Sequence, residues 1–315
     1  MATDDYFGGY AHTDIHAEMI SDSARTRAYR RAIMESPELF EGKVVLDVGC
    51  GTGILSMFAA QAGARKVYAV EASAMAPFAK QIIEDNGLDD VIEVLHGKLE
   101  DLEVPEKVDV IISEWMGYAL LFEGMVKSVL IARDTWLKPN GALIPRRARL
   151  YACAVEDFEI EAKRFAWWDS VYGFDMSALG THCRTEPLVD FVDPHAVCTN
   201  SVKLLELDIH KMSEDDLSQS TKVKLRAERT ETVHAILLWF DVDLTDEFAL
   251  STSPFEDGTH WKQTLLYLPK PIEVRRNDTL FLEFSVAHVP DRPRSIDMVL
   301  RVEVGDQLRK CRYRM

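Results

Sequence analysis

Apolar residues follow two kinds of pattern along this chain, and the change from one to the other falls near Pro145. In the first half, short β-rich runs alternate with helical stretches. Residues 43–48, 66–71, 91–96 and 108–113 read as strands, and residues 54–62 and 74–86 as the helices between the first three. Their lengths and order predict βαβ units with a parallel sheet covered on both faces. Upstream, residues 10–35 hold few helix breakers, and Ile15, Met19 and Ile20 recur at helical spacing. One helix is expected there, ending near Pro37.

Beyond about Ile144 the period shortens to two. Met298, Leu300, Val302 and Val304 alternate with Val299, Arg301 and Glu303. Residues 233–244, 263–268 and 279–286 are also strand-like, separated by polar or Pro-containing turns, so this half reads as an antiparallel sheet or barrel. Residues 158–179 fit neither half. They carry Phe165, Trp167, Trp168, Tyr172, Phe174 and Met176, and two readings stand: an ordinary core helix, or an inserted arm for self-association.

Composition adds exclusions. With 315 residues, 47% apolar and 28% charged, the chain reads as a globular enzyme of two lobes or one elaborated domain. There is no run of eighteen apolar residues and no secretory signal at the N-terminus, so an intracellular address is expected, in cytoplasm or nucleus. Five scattered cysteines lack a Cys-x-x-Cys pair, and nine histidines are equally dispersed, which suits reduced thiols and no metal site. The net charge of −16 disfavours direct nucleic acid binding and favours cationic partners.

The most informative stretch is Val44-Val45-Leu46-Asp47-Val48-Gly49-Cys50-Gly51-Thr52-Gly53-Ile54, an apolar strand entering a glycine-rich turn before a helix. Such glycines permit tight turning and close ligand approach. A dinucleotide fingerprint would require a third glycine where Ile54 stands. Asp47 would repel a pyrophosphate but suit a cationic amino group, and Glu71, ending the second strand, suits ribose hydroxyls. S-adenosylmethionine is therefore favoured over a nucleotide. After the fourth strand, Glu114 and Glu123 flank an apolar, glycine-containing loop. Two carboxylates among Trp115, Met116, Leu120, Leu121 and Phe122 would be costly without a cationic partner. A hairpin at Gly117 could turn both onto one spot; the alternative is two unrelated surface glutamates.

With these residues the chain resembles the protein arginine methyltransferases over nearly its full length. The resemblance is carried by the turn at 47–53, the double-glutamate loop at 113–125, the aromatic stretch 167–176 and Thr259-His260-Trp261-Lys262-Gln263. Residues 251–255 and 304–307 lean toward the member usually numbered six.

The resemblance implies N-terminal helices and a cofactor lid over 1–40, then a Rossmann-like S-adenosylmethionine-dependent methyltransferase domain over 41–145. An antiparallel β-barrel over 146–315 would follow, with a helical dimerisation arm inserted at about 157–185. It makes Glu114 and Glu123 the guanidinium-binding pair. It puts His16, Arg25, Asp47, Gly49, Gly51, Glu71 and Glu100 around the cofactor, with Tyr6, Phe7 and Tyr10 on the lid. His260 would pair with Asp22, as proton relay or as structural brace, and Trp261 would border the substrate. Met19 and Met125 would crowd the acceptor and favour two methyls on one nitrogen, giving mono- and asymmetric dimethylarginine and releasing S-adenosylhomocysteine. Implied partners are arginine-containing proteins, among them histones and glycine/arginine-rich RNA-binding proteins, and a second copy of the chain. Gly124 replaces a serine common in relatives, and Thr13-Asp14 departs from their commoner Phe-Gly; neither removes a charged site residue. Ending at Met315, the chain is expected to lack an appended docking domain. Two other functions remain open: methylation of a small molecule, and a catalytically idle scaffold for an active relative.

Overall fold

A computed structural model describes residues 8–10 and 12–315; Tyr6 and Phe7 lie outside the described residues. The apolar runs of the first half form five parallel strands: β1 (Val44–Val48), β2 (Lys66–Glu71), β3 (Ile92–His96), β4 (Val108–Ile112) and β5 (Leu137–Ile144). Their order is β3-β2-β1-β4-β5. All five residues of β1 are buried, as a central strand covered on both faces requires. The order reverses between β1 and β4, which opens a crevice at their carboxyl ends.

The N-terminal helix is broken. α1 (Thr13–Ser21) and α2 (Ser23–Met34) meet at Asp22, whose extended backbone (φ −63°, ψ 93°) ends the first and starts the second. The Asp22 carboxylate accepts from Arg25 N–H at 3.0 Å and so caps α2. No glycine or proline marks the break, so helical spacing alone ran straight through it. Further helices are α3 (Pro37–Phe40), α4 (Ile54–Gln61), α5 (Ala76–Asp85) and α6 (Val126–Trp136).

The second half is two antiparallel sheets. The first runs β7 (Leu188–Asp190), β12 (Gln263–Val274), β10 (Glu231–Asp243), β6 (Arg147–Val155), β8 (Val202–Asp208), with β11 (Ala249–Ser251) on β10. The second runs β15 (Gln307–Arg314), β14 (Arg292–Val304), β13 (Thr279–Val289), β9 (Gln219–Arg226). Met298, Leu300, Val302 and Val304 of β14 are buried, as their alternation predicts. β15 is tied to β12 by Tyr313 Oη donating to the Tyr267 carbonyl at 2.6 Å and Gln307 Nε2 to that of Glu273 at 3.1 Å. At the opposite edge Thr199 bridges Ala227. The sheets thus close on each other, and one apolar core runs from the parallel sheet into the barrel.

The aromatic stretch is not an ordinary core helix. It comprises one turn at Phe158–Ile160, wider and tighter turns at Glu161–Phe165 and Ala166–Asp169, a bridge between Val171 and Phe174, and the helix α8 (Ser177–Cys183), counting the first turn as α7. Phe165 anchors it, buried edge-on against Tyr267 at 4.8 Å. Tyr172 is 97% exposed and Phe174 69%.

Candidate active site

The turn after β1 is shaped by its glycines. Gly49 has φ 75°, a region that favours glycine, and a Cβ there would stand 2.3 Å from Cε of Met125, which would have to swing aside. Glu71, at the end of β2, accepts from Gly51 N–H at 2.8 Å and Ser73 N–H at 2.7 Å, fixing the turn from below. Asp47 is wholly buried. Ser56 Oγ donates to its Oδ2 at 2.7 Å, while Oδ1 has no hydrogen-bond partner among the described residues. Burial pushes the Asp47 carboxyl up to about 7, against the Ser56 hydrogen bond and with the help of the nearby Glu71 charge. Asp47 therefore lies behind the turn rather than on the cavity wall.

The double-glutamate loop leaves β4 at Ser113, whose Oγ donates to the Val48 carbonyl at 2.8 Å. Gly117 and Leu120 form the expected hairpin bridge, so close that a Cβ on Gly117 would lie 2.0 Å from the Phe122 carbonyl oxygen. Trp115, Met116, Leu120 and Leu121 point into the core. The two glutamates do not: both line one cavity of about 360 Å³, a size suited to a small-molecule cofactor. Arg25 donates to Glu114 Oε2 through Nη2 at 3.0 Å and Nε at 3.2 Å, a nearly buried ion pair. Tyr10 Oη donates to Glu123 Oε2 at 2.8 Å.

Asp22 and His260 come together as expected. His260 donates its backbone N–H to Asp22 Oδ2 at 2.8 Å, and its Nδ1 lies 2.8 Å from the same oxygen. Burial raises the Asp22 carboxyl, but the hydrogen bonds from His260 and Arg25 outweigh it and hold the group below the usual carboxylate range. Beside it Trp261 Nε1 donates to the Met116 carbonyl at 2.7 Å, tying the barrel to the double-glutamate loop.

Of the expected site residues, Tyr10, His16, Met19, Arg25, Gly49, Gly51 and Glu71 reach the cavity wall. So do Glu100, Glu114, Glu123, Met125, His260 and Trp261, whereas Asp22 and Asp47 stand behind it. His16 Nε2 lies 2.9 Å from the Tyr10 carbonyl, and Ser128 Oγ donates to Glu100 Oε1 at 2.7 Å. Glu18, Tyr118 and Arg294 also line the cavity and were not anticipated. Glu18 shares a face of α1 with Ile15 and Met19 at helical spacing, a signal that was available. Arg294 sits on a distant strand, and no local pattern pointed to it.

Comparison with known proteins matches residues 45–141 to a family described as "Methyltransferase domain" and residues 146–307 to "Arginine methyltransferase oligomerization subdomain". The chain is 46% identical to protein arginine N-methyltransferase 1 of Caenorhabditis elegans over 94% of this chain and 87% of that protein. Its fold superposes on the Trypanosoma brucei PRMT1 enzyme–prozyme complex with TM-score 0.94, at 40% identity, covering 97% of this chain and 99% of that one. A structure of PRMT6 with SAH gives TM-score 0.78 at 29% identity, covering 93% and 100%. The lean toward the member numbered six finds no support in these identities. The family itself is shown by them: the chain belongs to the protein arginine N-methyltransferases.

Proposed function

We propose that the protein transfers methyl groups from S-adenosylmethionine to guanidinium nitrogens of protein arginine residues. The observation that carries this reading is the convergence of Glu114 and Glu123 on one cavity beside the glycine turn. The residues present suit the methyl donor. The bare backbone at Gly49 admits close approach, and Glu71 and Glu100 offer carboxylates along the same wall. Arg25 offers a cation for the donor's carboxylate. S-adenosylmethionine supplies an electrophilic methyl group on a sulfonium cation.

The acceptor guanidinium is also a cation, with a pKa above about 12. Two unit charges about 4 Å apart repel by roughly 4 kcal/mol at an effective dielectric near 20. Glu114 and Glu123 reverse that repulsion and hold the planar fork by charge-assisted hydrogen bonds. Both Arg25 bonds fall on Glu114 Oε2, so Oε1 is the atom to receive the substrate's N–H. Holding positive charge at one nitrogen concentrates electron density on the other, which faces the methyl group. Alignment of this kind supplies up to about 7–11 kcal/mol in favourable cases.

His260 and Asp22 act here as a brace. Asp22 already accepts from Arg25 N–H and His260 N–H, and caps α2, which locks the first helices against the barrel loop. Met19 and Met125 line the cavity, and as crowders of the acceptor nitrogen they would favour asymmetric dimethylarginine, with monomethylarginine as intermediate. Histones and glycine/arginine-rich RNA-binding proteins fit as substrates, drawn by the net charge of −16. The exposed aromatic residues of the arm suit a homodimer interface. No helix among the described residues is long and apolar enough to cross a membrane.

A second reading has one observation behind it, since the T. brucei structure is an enzyme–prozyme complex: this chain could be the idle partner of an active relative. The complete carboxylate pair favours the enzyme. A labelled-methyl assay on a glycine/arginine-rich peptide, followed by mass spectrometry, decides. Asymmetric dimethylarginine is expected. Donor binding without turnover would establish the idle partner, and monomethyl product alone at long times would overturn the product assignment.

A further inference from the structure

Glu123 holds a backbone conformation that residues with side chains seldom adopt, φ 72°, and Gly124 follows at φ 65°. A side chain on such a residue keeps a fixed aim only where its surroundings over-determine the backbone. Here those surroundings come from the other half of the molecule. Glu123 N–H donates to the carbonyl of Arg294 at 2.9 Å, and Arg294 Nη1 donates to the carbonyl of Glu123 at 2.9 Å. One residue, 171 positions along the chain, thus grips the groups on either side of the Glu123 Cα. The fit beside it is close, for a Cβ on Gly124 would stand 2.6 Å from the Pro293 carbonyl oxygen. Arg294 lies in the bulged start of β14, between Arg292, paired with Val289, and Ile296, paired with His288, and the ladder to β15 begins just beyond it at Asp297. Arg294 also reaches the wall of the cavity.

We infer that Arg294 is a positioning residue that sets the aim of the Glu123 carboxylate, and with it the angle at which the substrate guanidinium is held. The inference rests on the reading of Glu123 as a guanidinium-binding group. Its chemistry is specific to a long side chain with an N–H donor. Lysine keeps the donor at lower geometric fidelity, and methionine keeps an unbranched aliphatic chain without one.

The test measures kcat and KM on a glycine/arginine-rich peptide for Arg294→Lys and Arg294→Met, with S-adenosylmethionine affinity by calorimetry and melting curves for each. Arg294→Met is expected to lose about tenfold or more in kcat, because small misplacements of a catalytic group are costly. Donor affinity should stay within about twofold, and Arg294→Lys should recover most of the loss. A merely structural role would lower the melting temperature of both variants without separating their kcat values. Near-normal kcat in Arg294→Met overturns the inference. So does a fall in KM at unchanged kcat, which would mark Arg294 as a gate repelling the cationic substrate. If Arg294→Met is unfolded at the assay temperature, Arg294→Gln, too short to span to the Glu123 carbonyl, is read by the same criteria. Glu123→Gln is assayed alongside. If it keeps its activity, the catalytic reading fails; if it is inactive while Arg294→Met is active, only the role of Arg294 fails.

Discussion

Asp47 hides a carboxyl group under the glycine turn, with one oxygen on Ser56 and the other without a partner among the described residues. Sequence spacing singled it out beside the turn but could not reveal that it lies off the cavity wall, since burial depends on α4 and β2 packing over it. Its folded pKa of about 7 exceeds the unfolded value near 3.9. The folded chain therefore holds a proton that the unfolded chain has released. The stabilisation is fully present below about pH 4 and is lost as pH rises through 7. Without donor, stability should fall between about pH 4 and 7, by up to about 1.4 kcal/mol per pH unit, and level off above 7, with the melting temperature following it. Asp47→Asn should flatten that slope. Parallel curves for the two proteins would assign the pH dependence elsewhere.

At the scale of elements, two joints hold the site. The first is the turn after β1. Gly49→Ala would place a left-handed alanine against Met125, and although the methionine's terminal methyl can swing aside, the backbone strain stays, at roughly 1–2 kcal/mol. Calorimetry should show donor binding weakened by about tenfold, and unchanged affinity would mean that the turn does not set the donor's seat. The second joint is Trp261 on the Met116 carbonyl. Trp261→Phe leaves that buried acceptor unpaired and should cost about 1–3 kcal/mol, read from denaturant unfolding; a loss below measurement error would show that packing alone joins the loops.

What the sequence disclosed follows the same division. β1, β2 and β4 were readable because strands buried on both faces are nearly unbroken apolar runs, and β3, partly exposed at the sheet edge, through Ile92, Val94 and Leu95. β5 was not, because Lys138-Pro139-Asn140-Gly141 in its middle reads as a turn. Nor was α6, or the exposed half of β9 and β15, where charged residues alternate with few large apolar ones. The break at Asp22 left one local signal, an N-cap aspartate three residues before Arg25, while the contact with His260 that holds it lies 238 residues away. Glu114 and Glu123 stood out as carboxylates in apolar company, whereas Arg294 acts through backbone contacts that leave no local pattern.

For the whole molecule, the parallel sheet supplies the donor's seat and the barrel supplies the grip on the carboxylate loop. The arm carries Tyr172 and Phe174 into solvent on a chain of net charge −16. Exposed aromatics on an anchored arm suit a second copy, so Tyr172→Ala with Phe174→Ala should shift the assembly toward monomer in sedimentation. A wild-type protein that sediments as a monomer at micromolar concentration would remove that expectation.

In the proposed reaction one anionic pair gathers two cations. The decisive measurement is the single-turnover rate of methyl transfer to an arginine peptide, wild type against Glu123→Gln, with donor affinity measured on both. Loss of one preorganised charge should slow transfer by about 10²-fold or more while donor affinity holds. A Glu123→Gln enzyme that folds, binds the donor and methylates arginine at near wild-type rate would contradict it.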